Sequence, residues 1–162
     1  MQQNKLFVEL IKANEGIIFK VASLYTSNRE DQQDLYQEIV YQLWKSFESF
    51  QGKSKWSTWM YRVALNTAIR QVQTVKRRPL NKDLSSVLEL KMEQVDSLLE
   101  EQTKQLYEAI KSLNGVEKSI VLLYLEGKSY DEIAKITGFS SSNVGTRLSR
   151  IKLKLKKLVN NE

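Results

Sequence analysis

Apolar residues recur every three or four positions along most of this chain, which is the spacing of one face of an α-helix. In the first half the clearest stripe runs from Leu35 to Phe50, and a less regular stripe covers residues 5–26. The polar stretch between them can supply an N-terminal cap. The pattern therefore predicts a helix over residues 5–26 and a second helix that opens at Ser27 or Asn28.

A third helix is predicted to begin at a cap provided by Ser57 or Thr58 and to end near Arg78. The next residue, Pro79, has no amide N–H and its ring clashes with the preceding helical turn, so it opposes continuation. Residues 79–102 are polar and acidic with scattered Leu and Val, which is typical of a linker. We therefore expect an all-α fold with two small helical domains, residues 1–78 and 103–162, joined by a flexible linker at 79–102.

The sequence from Ser129 onwards fits two helices joined by a tight turn. Ser129 and Glu132 have the spacing of a capping box at the start of a helix. Gly138 can supply the left-handed residue that ends this helix, and Ser140 can cap the next one. This order is the DNA-binding helix-turn-helix pattern. The buried face of its second helix is predicted to contain Val144, Leu148, Ile151, Leu155 and Leu158.

The residue types exclude several kinds of chemistry. The chain has no Cys and no His, so it cannot form disulfides, thiolate or imidazole zinc sites, or a histidine- or cysteine-based catalytic centre. Neither a signal-peptide core nor an apolar run long enough to span a bilayer is present in the sequence. We expect a soluble, cytoplasmic protein that has no cofactor, no metal and no catalytic site.

Charge is segregated along the chain. Residues 51–79 contain seven Lys or Arg and no Asp or Glu, and residues 127–162 contain eight basic against three acidic residues. Residues 1–50 and 80–126 are each net acidic. A solvated surface would mix both signs, so two separate basic segments predict a polyanionic partner, with nucleic acid as the first candidate.

The first basic segment also contains aromatic residues, which suits single-stranded nucleic acid, because bases stack on rings while cations hold the backbone. Trp56 lies in the predicted loop and is a candidate base platform, whereas Trp59 has the spacing of a core residue. Downstream, Arg62, Asn66 and Arg70 stand four residues apart and share one helix face.

The second basic segment carries a matching face for duplex DNA. Early positions of a recognition helix reach base edges, and the Asn and Arg side chains present there have the donors and acceptors that bases require. Later lysines are better suited to phosphate contact. The side chains predicted to project from this face are Asn143, Thr146, Arg147, Arg150 and Lys154.

Both halves resemble one family, the bacterial sigma factors, and within it the short extracytoplasmic-function group. The first half is similar to the family's region two in Asp34–Val40, Leu43-Trp44, the Phe50-Gln51-Gly52 loop and Thr58–Asn66. The second half is similar to region four in Tyr130–Ala134, Gly138–Ser140 and Val144–Leu148. Three positions depart from common family residues: Lys53, Trp56 and Asn114.

The resemblance implies three sets of contacts. The second helix would bind the coiled coil of the polymerase clamp through Asp34, Gln37, Glu38, Gln42 and Trp44. The loop and the helix after it would capture a flipped base of the minus-ten element with Phe50, Lys53, Lys55, Trp56, Arg62, Asn66 and Arg70. The last helix would read minus-thirty-five duplex with Ser141, Ser142, Asn143, Thr146, Arg147, Arg150 and Lys154.

The implied partners are bacterial core RNA polymerase, promoter DNA as duplex and as melted strand, and an anti-sigma factor, with no small-molecule substrate. Two other interpretations remain open from the residues alone. A stand-alone helix-turn-helix regulator would bind duplex without polymerase, in a salt-sensitive manner. A helical adaptor would use its basic segments on acidic protein surfaces. An enzyme is least favoured, since these residue types supply no nucleophile–base pair or metal cluster.

Overall fold

The structure, a computed structural model, describes residues 2–50, 52, 55–75 and 97–160, and within them every regular element is a helix. The chain divides into two units between Asn81 and Lys82. We refer to residues 1–81 as unit 1 and to residues 82–162 as unit 2. The predicted all-α fold class is confirmed.

Unit 1 is built from four α-helices and one short 3-10 helix in its described residues. Their bounds are α1 Gln2–Ala13, α2 Glu15–Leu24, α3 Arg29–Ser46, a 3-10 turn Phe47–Ser49, and α4 Trp56–Val75. Helices α2, α3 and α4 pack against one another. The centre of this core is completely buried and consists of Ile18, Val21, Ala22, Ile39, Leu43, Met60, Ala64 and Ala68.

The single helix predicted over residues 5–26 is wrong, because the chain forms two helices that meet at Asn14. The Asn14 side-chain amide donates to the Leu10 carbonyl at 2.9 Å and its backbone N–H donates to Ile11 at 3.1 Å, which closes α1. The inward residue of α1 also differs from the predicted stripe. Leu6 is 58% exposed while Phe7 is buried, because α1 docks through the Phe7 ring.

Helix α4 begins earlier than predicted. Its first residue is Trp56, so Ser57 and Thr58 lie inside the helix and do not cap it. The N–H of Trp59 donates to the Lys55 carbonyl at 3.1 Å, which sets the start of the helical hydrogen bonds. Trp59 is 7% exposed, which confirms its assignment to the core. The predicted end near Arg78 lies outside the described residues.

Unit 2 contains four α-helices in its described residues: α5 Ser97–Lys111, α6 Gly115–Leu125, α7 Tyr130–Thr137 and α8 Ser141–Asn160. Helix α8 packs against the other three. Helix α5 begins at Ser97, within the stretch predicted to be a linker, and residues 79–96 of that stretch lie outside the described residues. The core consists of Ile110, Leu113, Ile120, Leu123, Ile133, Ile136, Val144, Leu148 and Ile151.

The predicted buried stripe of the last helix is confirmed only as far as Ile151. Leu155 is half-buried and Leu158 is 45% exposed. On α5, Leu106 is 41% exposed although its spacing from the buried Ile110 and Leu113 fits one helix face. Helix α8 therefore outruns the surface that α5, α6 and α7 provide, and its last turns leave the core.

Local capping chemistry defines the helix boundaries. Asn28 caps α3 by accepting from the Asp31 N–H at 2.7 Å, as predicted. Asn114, noted above only as a departure from the common family residue, caps α6 in a reciprocal capping box with Glu117. At the other end of α6, Gly127 takes a φ of +82°, and the N–H groups of Gly127 and Lys128 bond back to Tyr124 and Leu123.

Candidate functional site

Helices α7 and α8 form the predicted helix-turn-helix, with its turn held by local hydrogen bonds. Gly138 ends α7 in the left-handed conformation at a φ of +89°, as expected. The Ser140 hydroxyl accepts from the Asn143 N–H at 3.1 Å, which confirms it as the cap of α8. The Ser129 hydroxyl caps α7 by accepting from the Glu132 N–H at 3.2 Å, but it also donates to the Glu132 carboxylate. The capping box predicted here is therefore incomplete, because the Glu132 carboxylate accepts from the Ser129 hydroxyl and not from the Ser129 backbone N–H.

Two contacts tie the start of α7 to the start of α8. The Ser141 hydroxyl donates to the Asp131 carboxylate. The Tyr130 ring lies over Gly145, where an added Cβ would meet ring carbons at 3.4 and 3.6 Å. These contacts fix the angle between the two helices at the end where DNA contact is expected. They also engage the hydroxyl of Ser141, one of the predicted contact residues, within the protein.

The predicted DNA-reading side chains share one face of α8, because Arg147, Arg150 and Lys154 follow Asn143 by four, seven and eleven residues. Ser142, Asn143, Thr146 and Arg150 are exposed, whereas Arg147 is half-buried. The Arg147 guanidinium carbon lies 4.3 Å from the centroid of the Phe139 ring. Its Nε donates to the Asn143 Oδ1 at 3.2 Å.

Lys154 differs from the other members of this face. It lies seven residues beyond Arg147, about 10 Å along the helix axis, and its Nζ is 3.3 Å from a Glu117 carboxylate oxygen on α6. Two residues earlier, Lys152 lies over the Tyr124 ring at 4.5 Å and donates to its hydroxyl at 3.2 Å. In the second half of α8, Lys154 therefore has an acidic partner on α6, whereas Lys152 contacts a neutral ring.

Six aromatic side chains of unit 1 form a continuous set of ring contacts, which we call the aromatic cluster. Within it Trp56 stacks on Phe50 with ring centroids 4.1 Å apart. The cluster also connects Trp56 to the α3 side of the unit, since Phe47 contacts both Trp56 and Phe7. Its members are Phe7, Trp44, Phe47, Phe50, Trp56 and Trp59.

The predicted minus-ten residues lie next to this cluster and along α4. Trp56 is 42% exposed, and Lys55 beside it is exposed. Arg62, Asn66 and Arg70 are all exposed on successive turns of α4, with the Arg70 Nε bonded to the Asn66 carbonyl at 3.4 Å. Lys53, predicted to belong to the same site, lies outside the described residues.

The predicted polymerase-binding residues form a polar strip on α3. Asp34 and Gln37 are exposed, and the Gln42 amide donates to the Glu38 carboxylate at 3.0 Å. Trp44 is 42% exposed and packs edge-on against Phe7, with centroids 5.1 Å apart.

Tyr41 belongs to this strip but was absent from the predicted set. It is 54% exposed, and it follows Asp34 by seven residues and Gln37 by four, so it lies between the predicted contacts on the same face. The spacing alone was a sufficient signal to find it.

Two tyrosines have altered acidity because of their surroundings. Burial raises the pKa of Tyr36, and the nearby Glu15 carboxylate raises it further. Burial also raises the pKa of Tyr107. Because both pKa shifts are upward, they leave the phenols neutral at physiological pH, as an ordinary tyrosine is.

Among residues 2–50, 52, 55–75 and 97–160, no acidic cluster has the composition of a metal site. The helices in those ranges are all too short or too polar to cross a membrane.

Two family models match this chain. The model described as Sigma-70 region 2 matches residues 10–78, and the model described as Sigma-70, region 4 matches residues 103–155. The first match covers α2, α3, the 3-10 turn and α4, and the second covers the helix-turn-helix. The α3 strip, the exposed face of α4 and the predicted DNA-reading face of α8 therefore lie within recognised sigma-factor regions.

Curated relatives extend the similarity over most of the chain. The ECF RNA polymerase sigma-E factor of Haemophilus influenzae is 32% identical over 145 residues, covering 81% of this chain and 77% of the relative. The protein of the same name from Escherichia coli K12 is also 32% identical, covering 81% of this chain and 76% of the relative.

Solved structures share the fold at lower identity. The sigma factor RpoE from Bartonella quintana, solved with the anti-sigma factor NepR, has a TM-score of 0.66 at 17% identity and covers 96% of this chain and 95% of its own. CnrH, solved with the cytosolic domain of CnrY, has a TM-score of 0.71 at 20% identity, and the match covers 98% of this chain and 90% of CnrH. With both region models and the 32% identical relatives, these findings show that the chain belongs to the ECF group of the sigma-70 family of RNA polymerase sigma factors.

Proposed function

We propose that this chain binds core RNA polymerase and directs it to promoters, with one unit for melted DNA and the other for duplex. The observation that carries the proposal is that a single ECF-family chain contains a helix-turn-helix with an Asn–Arg face and an exposed tryptophan beside a basic helix. The functional division follows the predicted domains, residues 1–78 and 103–162, with α5 extending the second of them back to Ser97.

Unit 2 reads the minus-thirty-five element by inserting the start of α8 into the major groove. Exposed Asn143, Thr146 and Arg150, together with Arg147, offer side chains of the kind that bond to base edges and phosphates. Lys154 is farther along the helix and is shared with Glu117, which supports a phosphate contact better than base reading. Ser142 at the helix start is suited to contact with the DNA backbone, and Ser141 offers its backbone N–H there because its hydroxyl is bonded to Asp131.

Unit 1 captures a base of the melted minus-ten element by stacking. Since Phe50 and Trp56 are already in contact, an incoming base has two options: it stacks on the outer face of Trp56, or it separates the two rings. Lys53 and Lys55 supply cations for the nearby phosphates, and the Arg62–Asn66–Arg70 face extends the path along α4.

The polar strip of α3 forms the contact with core polymerase. Asp34, Gln37, Glu38, Gln42 and Trp44 are the residues expected from the family resemblance, and we add Tyr41 to them. Aromatic residues that are exposed amid polar neighbours are frequent centres of protein interfaces. Tyr41 and Trp44 therefore would supply most of the buried area.

The work done by this chain is binding. No bond is made or broken by its residues, and the energy of base stacking offsets an unstacking cost of a few kcal/mol. It acts in the cytoplasm, where the chromosome and polymerase are located. An anti-sigma factor is its proposed inhibitor, in keeping with the two solved relatives, one of which is bound to NepR and the other to the cytosolic domain of CnrY.

The experiment that tests the polymerase contact measures binding of the full chain to bacterial core polymerase by a labelled-protein titration. Asp34→Ala and Tyr41→Ala should each weaken binding, because both side chains are exposed on the α3 strip. Glu9→Ala is the matched control, since it removes an exposed acid from α1. A wild-type chain that does not bind core polymerase would refute the proposed function.

A further inference from the structure

The guanidinium of Arg147 is held on two sides by other side chains of unit 2. Its plane lies over the Phe139 ring, with the central carbon 4.3 Å from the ring centroid. Its Nε donates to the Asn143 Oδ1 at 3.2 Å, one helical turn earlier. Arg147 is only half-buried, so neither contact is forced by the hydrophobic core. The side chain is therefore positioned by a specific pair of partners.

The bond between the two side chains determines which groups remain for DNA. Arginine nitrogens only donate, so the atom of Asn143 that meets Nε must be its amide oxygen. This bond does not use the Asn143 NH₂ group or the two terminal nitrogens of Arg147. An asparagine that reads adenine needs both its NH₂ and its oxygen. The Asn143 oxygen already accepts one bond from Arg147 and keeps one further lone pair, so most of the hydrogen-bonding capacity that remains in the Asn143–Arg147 pair is donor capacity.

Residues of the turn in the helix-turn-helix fix both the Phe139 ring and the start of α8, which carries Asn143 and Arg147. Phe139 directly follows Gly138, and its N–H donates to the Thr137 hydroxyl at 3.4 Å. The next residue, Ser140, accepts from the backbone N–H of Asn143 at 3.1 Å. Three successive turn residues thus set the position of the Phe139 ring and the start of the helix that carries Asn143 and Arg147.

We propose that Phe139 is a positioning residue that holds Arg147 for base reading, and that the Asn143–Arg147 pair selects a base edge made of acceptors. Guanine offers two such acceptors in the major groove, N7 and O6, whereas adenine offers one acceptor and one donor. A guanidinium that is already oriented also loses less rotational freedom on docking. This inference rests on the proposed function, because it assumes that α8 reads the minus-thirty-five duplex.

The test uses holoenzyme reconstituted from core polymerase and the full chain, with transcription measured on promoters that vary at each minus-thirty-five position. Arg147→Ala identifies the base position that Arg147 reads, and wild type should prefer guanine over adenine there. Phe139→Leu should reduce that preference about two- to fivefold, the range expected for loss of an exposed cation–π contact. Phe139→Met should act in the same direction, and Phe139→Tyr should retain the preference because it keeps the ring.

A double variant separates positioning from a general structural role. If Phe139 acts through Arg147, Phe139→Leu should change the preference no further once Arg147→Ala is present. The inference is overturned if Phe139→Leu and Phe139→Met weaken all promoters equally while Arg147→Ala alters one position. It is also overturned if adenine is preferred at that position. Failure of the proposed function would look different, because wild-type holoenzyme would then show no promoter selection.

Discussion

The indole ring of Trp56 stacks on the ring of Phe50, with centroids 4.1 Å apart and planes inclined by 28°. This contact joins the first residue of the loop to the first residue of α4, and it leaves Trp56 42% exposed. The candidate platform for a melted base is therefore already assembled from two rings in the chain without DNA. Base capture would use the exposed face of this stack or replace Phe50 in it.

Removing the indole should impair promoter melting. Trp56→Ala should weaken formation of the open complex by about 1–3 kcal/mol, the usual value of one base–aromatic stack. Trp56→Phe should retain part of the effect, because it keeps a smaller ring. Permanganate reactivity of unpaired thymines in the promoter measures melting directly.

A suitable control is Phe19→Ala, which removes an aromatic ring that is 51% exposed on α2. It should leave melting unchanged. Equal melting by wild-type and Trp56→Ala holoenzyme would remove Trp56 from the minus-ten site.

Arg147 and Lys154 should differ in what they contribute to DNA binding. Arg147→Ala should reduce the difference in binding free energy between preferred and non-preferred minus-thirty-five sequences by about 1–3 kcal/mol, because it removes a base contact. Lys154→Ala should weaken all sequences alike, since its proposed contact is a phosphate. The measurement is a salt titration of holoenzyme binding to a panel of duplex promoters.

The Lys154–Glu117 ion pair should contribute little to the stability of unit 2. The lysine side chain is 52% exposed, so solvent screens the pair and its contribution to the free energy of unfolding should lie within about 0–1 kcal/mol. A sequence-dependent loss from Lys154→Ala would contradict the phosphate assignment.

Replacing either of two glycines of the helix-turn-helix with alanine should change the free energy of unfolding, but in opposite directions. Gly138 has a φ of +89°, where a Cβ is strained, so Gly138→Ala should lower the free energy of unfolding by about 1–2 kcal/mol. Gly145 lies within α8, so Gly145→Ala should raise it by about 0.5–1 kcal/mol. The added methyl group would touch the Tyr130 ring at 3.4 Å, which is a van der Waals contact.

Urea unfolding of the full chain, followed by circular dichroism, measures both effects. The opposite order, with Gly145→Ala the more damaging change, would mean that the Tyr130 contact cannot accommodate a methyl group. The strain assigned to position 138 would be refuted by an unchanged Gly138→Ala variant.

The features that sequence reasoning predicted well depend on neighbouring residues. The caps at Asn28 and Ser140 and the left-handed Gly138 follow from local backbone chemistry, so their residue types identify them. The helix-turn-helix could be found for the same reason. Asn114 could also have been recognised as a cap, because Glu117 follows it at capping-box spacing.

The features that were missed depend on contacts between distant parts of the chain. Phe7 is buried and Leu6 is exposed because α1 meets Trp44 and Phe47, more than thirty residues away. The pairing of Lys154 with Glu117 spans 37 residues and has no local signature. Helical spacing predicts that a helix has an apolar or a polar face, but it does not show which distant residues pack against that face.

The most direct test of the central claim is in vitro transcription by bacterial core polymerase on a promoter library, with and without this chain. Specific initiation should appear only when the chain is present, at promoters with defined minus-ten and minus-thirty-five elements. Initiation that is equally frequent and equally distributed in both reactions would contradict the claim that this chain gives polymerase its promoter selectivity.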